Sequence, residues 1–322
     1  MNAIRLHETG GPQALQLETL PDPEPGAGQV VVEVAAAGVN FIDTYHRSGA
    51  YPLELPSGLG LEGAGTVAAV GPGVSGFAVG DRVAWADARG SYAERLALPT
   101  DRAVPVPDGV SLEDAAAVML QGMTAHYLAH ATWPLAPGDT ALVYAAAGGV
   151  GRLLVQMAKG RKARVLACTS TAEKETEVRA LGADEVIRYR DVDIVEEVRR
   201  LTDGRGVDVA YDSVGRDTFD ASLASLRPRG MLVLYGQASG PVPPVDPQRL
   251  NRGGSLFLTR PSLGHYTSTP EELRTRAGEV LAGVGSGALD VRIHARYPLA
   301  EATRAHADLE GGGTMGKLLV VP

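Results

Sequence analysis

The run Gly138-Asp139-Thr140-Ala141-Leu142-Val143-Tyr144-Ala145-Ala146-Ala147-Gly148-Gly149-Val150-Gly151 leads directly into Arg152-Leu153-Leu154-Val155-Gln156. A short apolar strand, a glycine turn and a helix follow one another with nothing between them. That succession reads as the opening of a βαβ unit that binds a dinucleotide. Gly148 lets the backbone approach a pyrophosphate, the amides and dipole of the helix start meet its negative charge, and Gly151 permits close packing of helix on strand. Ala146 stands where the first glycine of G-x-G-x-x-G is usual, so the strand and helix on either side carry the reading rather than the glycines alone. Ala147, Gly148, Gly149, Val150 and Gly151 are the expected cofactor contacts of this turn.

Downstream, short apolar runs alternate with helix-length stretches. Strands are expected over 141–144, 164–167, 185–187, 207–211 and 231–235, with helices over 149–159, 172–181, 191–202 and 217–226. Ile194, Val195, Val198 and Leu201 show the helical spacing. This is the pattern of a doubly wound parallel sheet. The chain before about residue 120 differs. There Gly and Pro punctuate short strands at 29–36, 65–70 and 81–84, and the texture is mostly β. Beyond Pro261 come two helix candidates, 270–281 and 299–309, and a last strand, 317–321, which is expected to rejoin the first domain. The division is therefore 1–122 with 262–322 for the mostly-β domain, and 123–261 for the nucleotide domain.

The end of the second strand of the nucleotide domain discriminates between nucleotides. An NAD site carries a carboxylate there to accept bonds from the ribose hydroxyls; this chain reads Cys168-Thr169-Ser170-Thr171. Nothing in that stretch repels a 2′-phosphate, Ser170 and Thr171 can donate to it, and Lys174 in the next helical turn adds a charge. NADPH is the expected cofactor. Arg188, Tyr189 and Arg190 end the third strand and can close over the same group, Tyr189 being favoured. Ser213 and Gly215 after the fourth strand and Gly236 after the fifth lie at the carboxyl edge of a parallel sheet, where such folds bind ligands. Arg260 and Lys317 are further candidates for reaching the cofactor, with a surface role the competing reading.

Composition narrows the class further. A formal net charge of −8 with scattered basic residues argues against nucleic-acid binding. No apolar run approaches the roughly 18 residues of a membrane span. The opening Met1–Gly11 lacks a secretory apolar stretch, and the lone Cys168 permits no internal disulfide, so a cytoplasmic location is expected.

The glycine segment through to Gln156 and Lys159, together with Asn40-Phe41-Ile42-Asp43-Thr44-Tyr45 and Asp212-Ser213-Val214-Gly215, resembles the zinc-independent quinone oxidoreductases. These are the zeta-crystallin-like branch of the medium-chain dehydrogenase/reductase superfamily, and the resemblance covers essentially the whole chain. It implies a Rossmann-type sheet inserted into a chaperonin-10-like, mostly-β catalytic domain, and NADPH-dependent hydride transfer to a quinone. Zinc-dependent relatives carry a Cys in the segment matching Gly38-Val39-Asn40, a His in that matching Gly60-Leu61-Glu62, and four clustered Cys; this chain has Asn40, Leu61 and a single Cys. No tetrahedral N/S set can be assembled from these, and no metal is expected. A quinone or activated alkene, already a good hydride acceptor, suits such a site. The resemblance implies Asn40 as an amide donor to the substrate carbonyl, Tyr45 and Tyr51 as polar-tipped aromatic walls, and Thr124 at the domain crossover as a further catalytic candidate; Asn40 and Thr124 would also border the cofactor. Glu62 reads as a supporting residue. The apolar stretch 254–259 is expected to be an edge strand that pairs two chains into a homodimer. Reduction of an enal or enone double bond, and a non-catalytic NADPH- or RNA-binding role, remain as alternatives.

Overall fold

The computed structural model describes all 322 residues. In chain order the first elements are β1 (Asn2–Leu6), β2 (Leu15–Thr19), β3 (Gln29–Val39), α1 (Phe41–Ser48), β4 (Ser57–Gly58), β5 (Glu62–Val70), β6 (Arg82–Trp85), β7 (Arg95–Pro99), β8 (Val104–Pro105) and α2 (Leu112–Tyr127). Then follow β9 (Thr140–Val143), α3 (Gly149–Gly160), β10 (Arg164–Thr169), α4 (Ala172–Ala180), β11 (Glu185–Arg188), α5 (Ile194–Leu201), β12 (Val207–Asp212), α6 (Phe219–Ala224), β13 (Leu226–Leu234), α7 (Gln248–Arg252) and β14 (Phe257–Thr259). The chain closes with α8 (Leu263–Tyr266), α9 (Pro270–Gly285), β15 (Ile293–Pro298), α10 (Ala302–Glu310) and β16 (Lys317–Val321).

Two compact units result: Met1–Met123 with Thr267–Pro322, and Thr124–Tyr266. In the first, β15-β16-β3-β5-β6-β8 form a sheet in that order, with β7 also on β3, while β2-β1-β4 form a smaller one. Strand β3 feeds two cores. Val30, Val32 and Val34 pack with Trp85 and Leu98; Ala37 and Val39 pack with Leu59, Tyr92 and Leu318. Strand β16 sits between β15 and β3, with Leu319 opposite Gly38, and Gly38 in turn lies opposite Glu62 of β5. The last strand is thus an interior strand of this unit, as its apolar run suggests.

The second unit is a six-stranded parallel sheet in the order β11-β10-β9-β12-β13-β14. Leu142, Leu166, Ala210 and Leu232 point from adjacent strands into one core with Val198, Phe219 and Leu223 of the helices. The strand order reverses between β9 and β12, and in such sheets the crevice outside the carboxyl ends of the strands at that switch point receives ligands.

Two helices depart from the mostly-β expectation for residues 1–120. Helix α2 is buried nearly all round: Ala115, Ala116, Ala117, Val118 and Met119 are each inaccessible. Such a run shows no 3.6-residue alternation to read. Its one local signal is at its start, where Ser111 accepts from the Asp114 amide at 3.0 Å and donates to the Asp114 carboxylate at 2.7 Å, a Ser-x-x-Asp cap. Helix α1 starts inside the Asn40–Tyr45 motif and runs on to Ser48. The second unit runs to Tyr266, which stacks on Tyr127 at 4.3 Å and accepts from Thr132 Oγ1 at 3.0 Å.

Candidate active site

At the carboxyl end of β9, the backbone turns through Ala145, a non-glycine residue at φ 47°. The turn is held by Ala146 N–H on Cys168 O (3.1 Å) and Gly148 N–H on Ala145 O (2.8 Å). Gly148 is extended and precedes α3 with no side chain capping the helix, so the first amides of α3 face outward for an anion. Gly151 allows no substituent. A Cβ there would lie 2.7 Å from Ala146 Cα and 2.9 Å from Ala145 C. Gly148, Gly149 and Val150 are half-buried, whereas Ala147 and Gly151 are buried. The cradle is one that a bulkier turn would fill.

Beside it, β10 ends on Thr169, whose Oγ1 is buried without a partner. Ser170 is half-buried. Thr171 caps α4 by accepting from Lys174 N at 3.3 Å, which leaves its hydroxyl hydrogen to donate. Lys174 is half-buried and held below the ordinary lysine range by burial and by the positive charge of Arg190, with Glu173 opposing. Two cations that raise one another's energy are suited to a dianion. Arg190 thus joins Lys174, while Arg188 is engaged by Glu175 (3.3 Å) and Asp191 (3.1 Å). Tyr189 is exposed.

The loops after β12 and β13 interlock. Asp212, fully buried, accepts from Val214 N (2.8 Å), Gly215 N (3.0 Å), Thr218 Oγ1 and Ser222 Oγ (2.7 Å). Ser239 N–H reaches Val214 O at 2.8 Å, and a Cβ on Gly236 would meet Ser213 Cα at 2.9 Å. Ser213, Gly215 and Gly236 therefore form one stiff rim, with Asp212 as the anchor that motif reading alone did not single out. Arg260 is exposed beside Tyr127, with Tyr235 and Tyr266 in the same group. Thr124 is buried on α2.

In the first unit the register of β16, β3 and β5 gathers Lys317, Asn40 and Glu62, all buried. Lys317 Nζ pairs with Glu62 and donates to Asn40 Oδ1 at 2.8 Å. Asn40 Nδ2 donates to Glu62 Oε2 (2.7 Å) and Gly38 O (3.2 Å), and Gln121 Nε2 donates to Asn40 Oδ1 (3.1 Å). Leu120 N–H completes the set on Glu62 Oε1 at 2.6 Å. Gly38 makes room for it: a Cβ there would lie 2.6 Å from Lys317 Cε and 2.7 Å from Ala116 O. Burial pulls the Lys317 ammonium down from its ordinary range and Glu62 pushes it back up.

Both amide hydrogens of Asn40 are bonded inside the chain, to Glu62 and Gly38. Lys317, 2% exposed, is the counter-ion of Glu62. The rings of Tyr45 on α1 and Tyr51 just beyond it lie 5.2 Å apart, with that of Phe41 6.4 Å from Tyr45. No group of three His, Cys, Asp or Glu side chains is placed to hold a metal ion.

A chain that builds a mostly-β module from both its ends, and between them a doubly wound sheet with an uncapped glycine turn at the switch point, has the architecture of a medium-chain dehydrogenase/reductase. Residues 26–108 match the alcohol dehydrogenase GroES-like domain and residues 149–278 the zinc-binding dehydrogenase domain. The chain is 46% identical to a quinone oxidoreductase of Pseudomonas aeruginosa over 99% of each. It is 42% identical to a 2-haloacrylate reductase of Burkholderia sp, over 99% of this chain and 98% of that protein. The crystal structure of Escherichia coli quinone oxidoreductase complexed with NADPH superposes with a TM-score of 0.98 at 42% identity over the whole of both chains. The chain belongs to the quinone oxidoreductase family of this superfamily.

Proposed function

We propose that this protein is an NADPH-dependent quinone oxidoreductase that works without zinc. The observation that carries the reading is the acid-free end of β10, where Ser170 and Thr171 are followed by Lys174, whose charge is felt together with that of Arg190, a setting fit for a 2′-phosphate. The relative crystallised with NADPH supports it. The turn Ala147–Gly151 would hold the pyrophosphate through its amides, Ser213, Gly215 and Gly236 would border the nicotinamide half, and Tyr189 would cover the adenine end. Arg260 and Thr124 would add contacts from the same unit. NADPH, when bound, supplies the hydride. The chain's own part is to orient the acceptor: Tyr45 and Tyr51 present flat faces suited to a planar ring, and the Lys317–Glu62–Asn40 cluster keeps the start of α1 rigid behind them. A second reading, reduction of an activated alkene, is favoured by the relative named 2-haloacrylate reductase. We further infer a cytoplasmic homodimer.

NADPH oxidation against a panel of quinones and activated alkenes, before and after exhaustive chelation, separates these readings. Quinone turnover that survives chelation is expected. Lys174→Ala should raise the KM for NADPH roughly tenfold and leave that for NADH almost unchanged. This is the lower end of the about 1.5–3 kcal/mol of a charge-assisted bond, because Lys174 is only half-buried. Equal use of both nucleotides by the wild type would sink the reading.

A further inference from the structure

A second buried chain of hydrogen bonds meets the Asn40 cluster from the other side. Glu310, on the surface end of α10, accepts from Arg47 Nη2 at 2.7 Å; Arg47 Nη1 lies 3.0 Å from His306 Nδ1, His306 Nε2 lies 3.2 Å from Tyr92 Oη, and Tyr92 Oη lies 2.9 Å from Asp43 Oδ2. The same oxygen accepts the Asn40 backbone N–H at 2.9 Å. The direction of every bond can be deduced. A guanidinium only donates, so His306 Nδ1 is an acceptor and the neutral ring carries its hydrogen on Nε2. That hydrogen goes to the Tyr92 oxygen, which leaves the Tyr92 hydroxyl to donate to Asp43. Asp43, Tyr92 and His306 are wholly inaccessible and Arg47 is 2% exposed. Asp43 Oδ1 is buried with no partner. A carboxylate with one oxygen receiving two donors and the other none is poorly solvated by its surroundings.

We propose that Asp43 is a positioning residue that holds the first turn of α1, and through it Asn40 and Tyr45, by accepting the Asn40 amide and the directed Tyr92 hydroxyl. The functional part rests on the quinone oxidoreductase reading; the positioning itself does not. Losing the carboxylate's charge weakens both bonds at once, so the geometry of the helix start follows the protonation of one buried group. Tyr92, Lys317 and Glu62 face Asp43 from other elements, with His306 and Glu310 behind Tyr92 and with His46 and Arg47 on its own helix. Burial pushes the Asp43 carboxyl up to about 7, with the Asn40 amide, Tyr92 and Lys317 pulling down, which places the change within the range of assay.

The test follows the Asn40 backbone amide by NMR against pH in the wild type, Tyr92→Phe and Asp43→Asn, alongside the pH profile of kcat with NADPH and a quinone. The amide should titrate with a midpoint near neutral pH. Tyr92→Phe, which removes a donor to the carboxylate, should move that midpoint upward, and Asp43→Asn should abolish it. The acid limb of kcat should have the same midpoint and move with it. A purely structural Asp43 would lower kcat equally at every pH. An Asn40 amide that does not titrate, or a midpoint unmoved by Tyr92→Phe, overturns the proposal; if Asp43→Asn does not fold, Tyr92→Phe still decides. Should the wild type turn over no quinone, the functional reading fails while the amide titration decides the positioning role alone.

Discussion

Asp43 and His306 share the hydroxyl of Tyr92, and burial opposes charge on both, with opposite consequences for stability against pH. His306 is held down to about 3 from 6.5 by burial and by Arg47. Its folded value lies below its unfolded one, so the unfolded chain takes up the proton first. The stability it contributes is present above about 6.5 and is lost as pH falls towards 3. Asp43 is pushed up to about 7 from 3.8, so there the unfolded chain loses its proton first, and stability present in acid is lost as pH rises from about 4 to 7. Between about pH 4 and 6.5 the two slopes cancel, one proton more on Asp43 against one fewer on His306. Asp43→Asn removes only one side. The variant should therefore lose about 1.4 kcal/mol per pH unit, relative to wild type, as pH falls from 6.5 to 4. Urea unfolding midpoints across that range measure it, and parallel curves for the two proteins would refute the coupling.

Among the elements, α3 and its glycine turn are the most exacting. Gly151→Ala sets a methyl against the backbone of Ala145 and Ala146. It should cost about 1–3 kcal/mol of stability and, by lifting α3 from β9, weaken NADPH binding more than NADH selectivity. Gly148→Ala should be milder, since a Cβ there lies 3.1 Å from the Ala145 oxygen and the backbone is already extended. Thermal unfolding and a fluorescence titration with NADPH separate the two effects. This element was legible in the sequence because a strand, a turn and a helix that are contiguous in the chain are also contiguous in space. Helix α2 was not, despite its Ser111 cap, because a helix buried on every side carries no amphipathic stripe. Strand β14 was visible as an apolar run, but only three of its residues pair, the rest forming the turn into it.

At the scale of the whole molecule, β14 is the outer strand of the parallel sheet, and its Phe257 is 55% exposed. An open strand edge with an apolar residue invites pairing with a second copy about a two-fold axis. Light scattering at micromolar concentration should give twice the 33.5 kDa of one chain. Phe257→Lys, which sets like charges against one another across such an axis, should shift the mass towards that of a single chain. A wild-type mass of one chain refutes the homodimer.

The chain by itself determined what is local. The βαβ opening at Gly138–Lys159, the absence of an acid after β10 and the apolar last strand are each contained in a stretch of neighbouring residues, where spacing and turn chemistry suffice. What tertiary structure decided is how distant residues use up one another's hydrogen-bonding capacity. Asn40, Glu62, Gln121 and Lys317 meet only because β3 lies between β16 and β5 with α2 against them. An asparagine that looks like a free amide in the sequence becomes, once four partners surround it, a fixed part of a buried ionic cluster, because a polar group removed from water must be satisfied by whatever the fold brings to it.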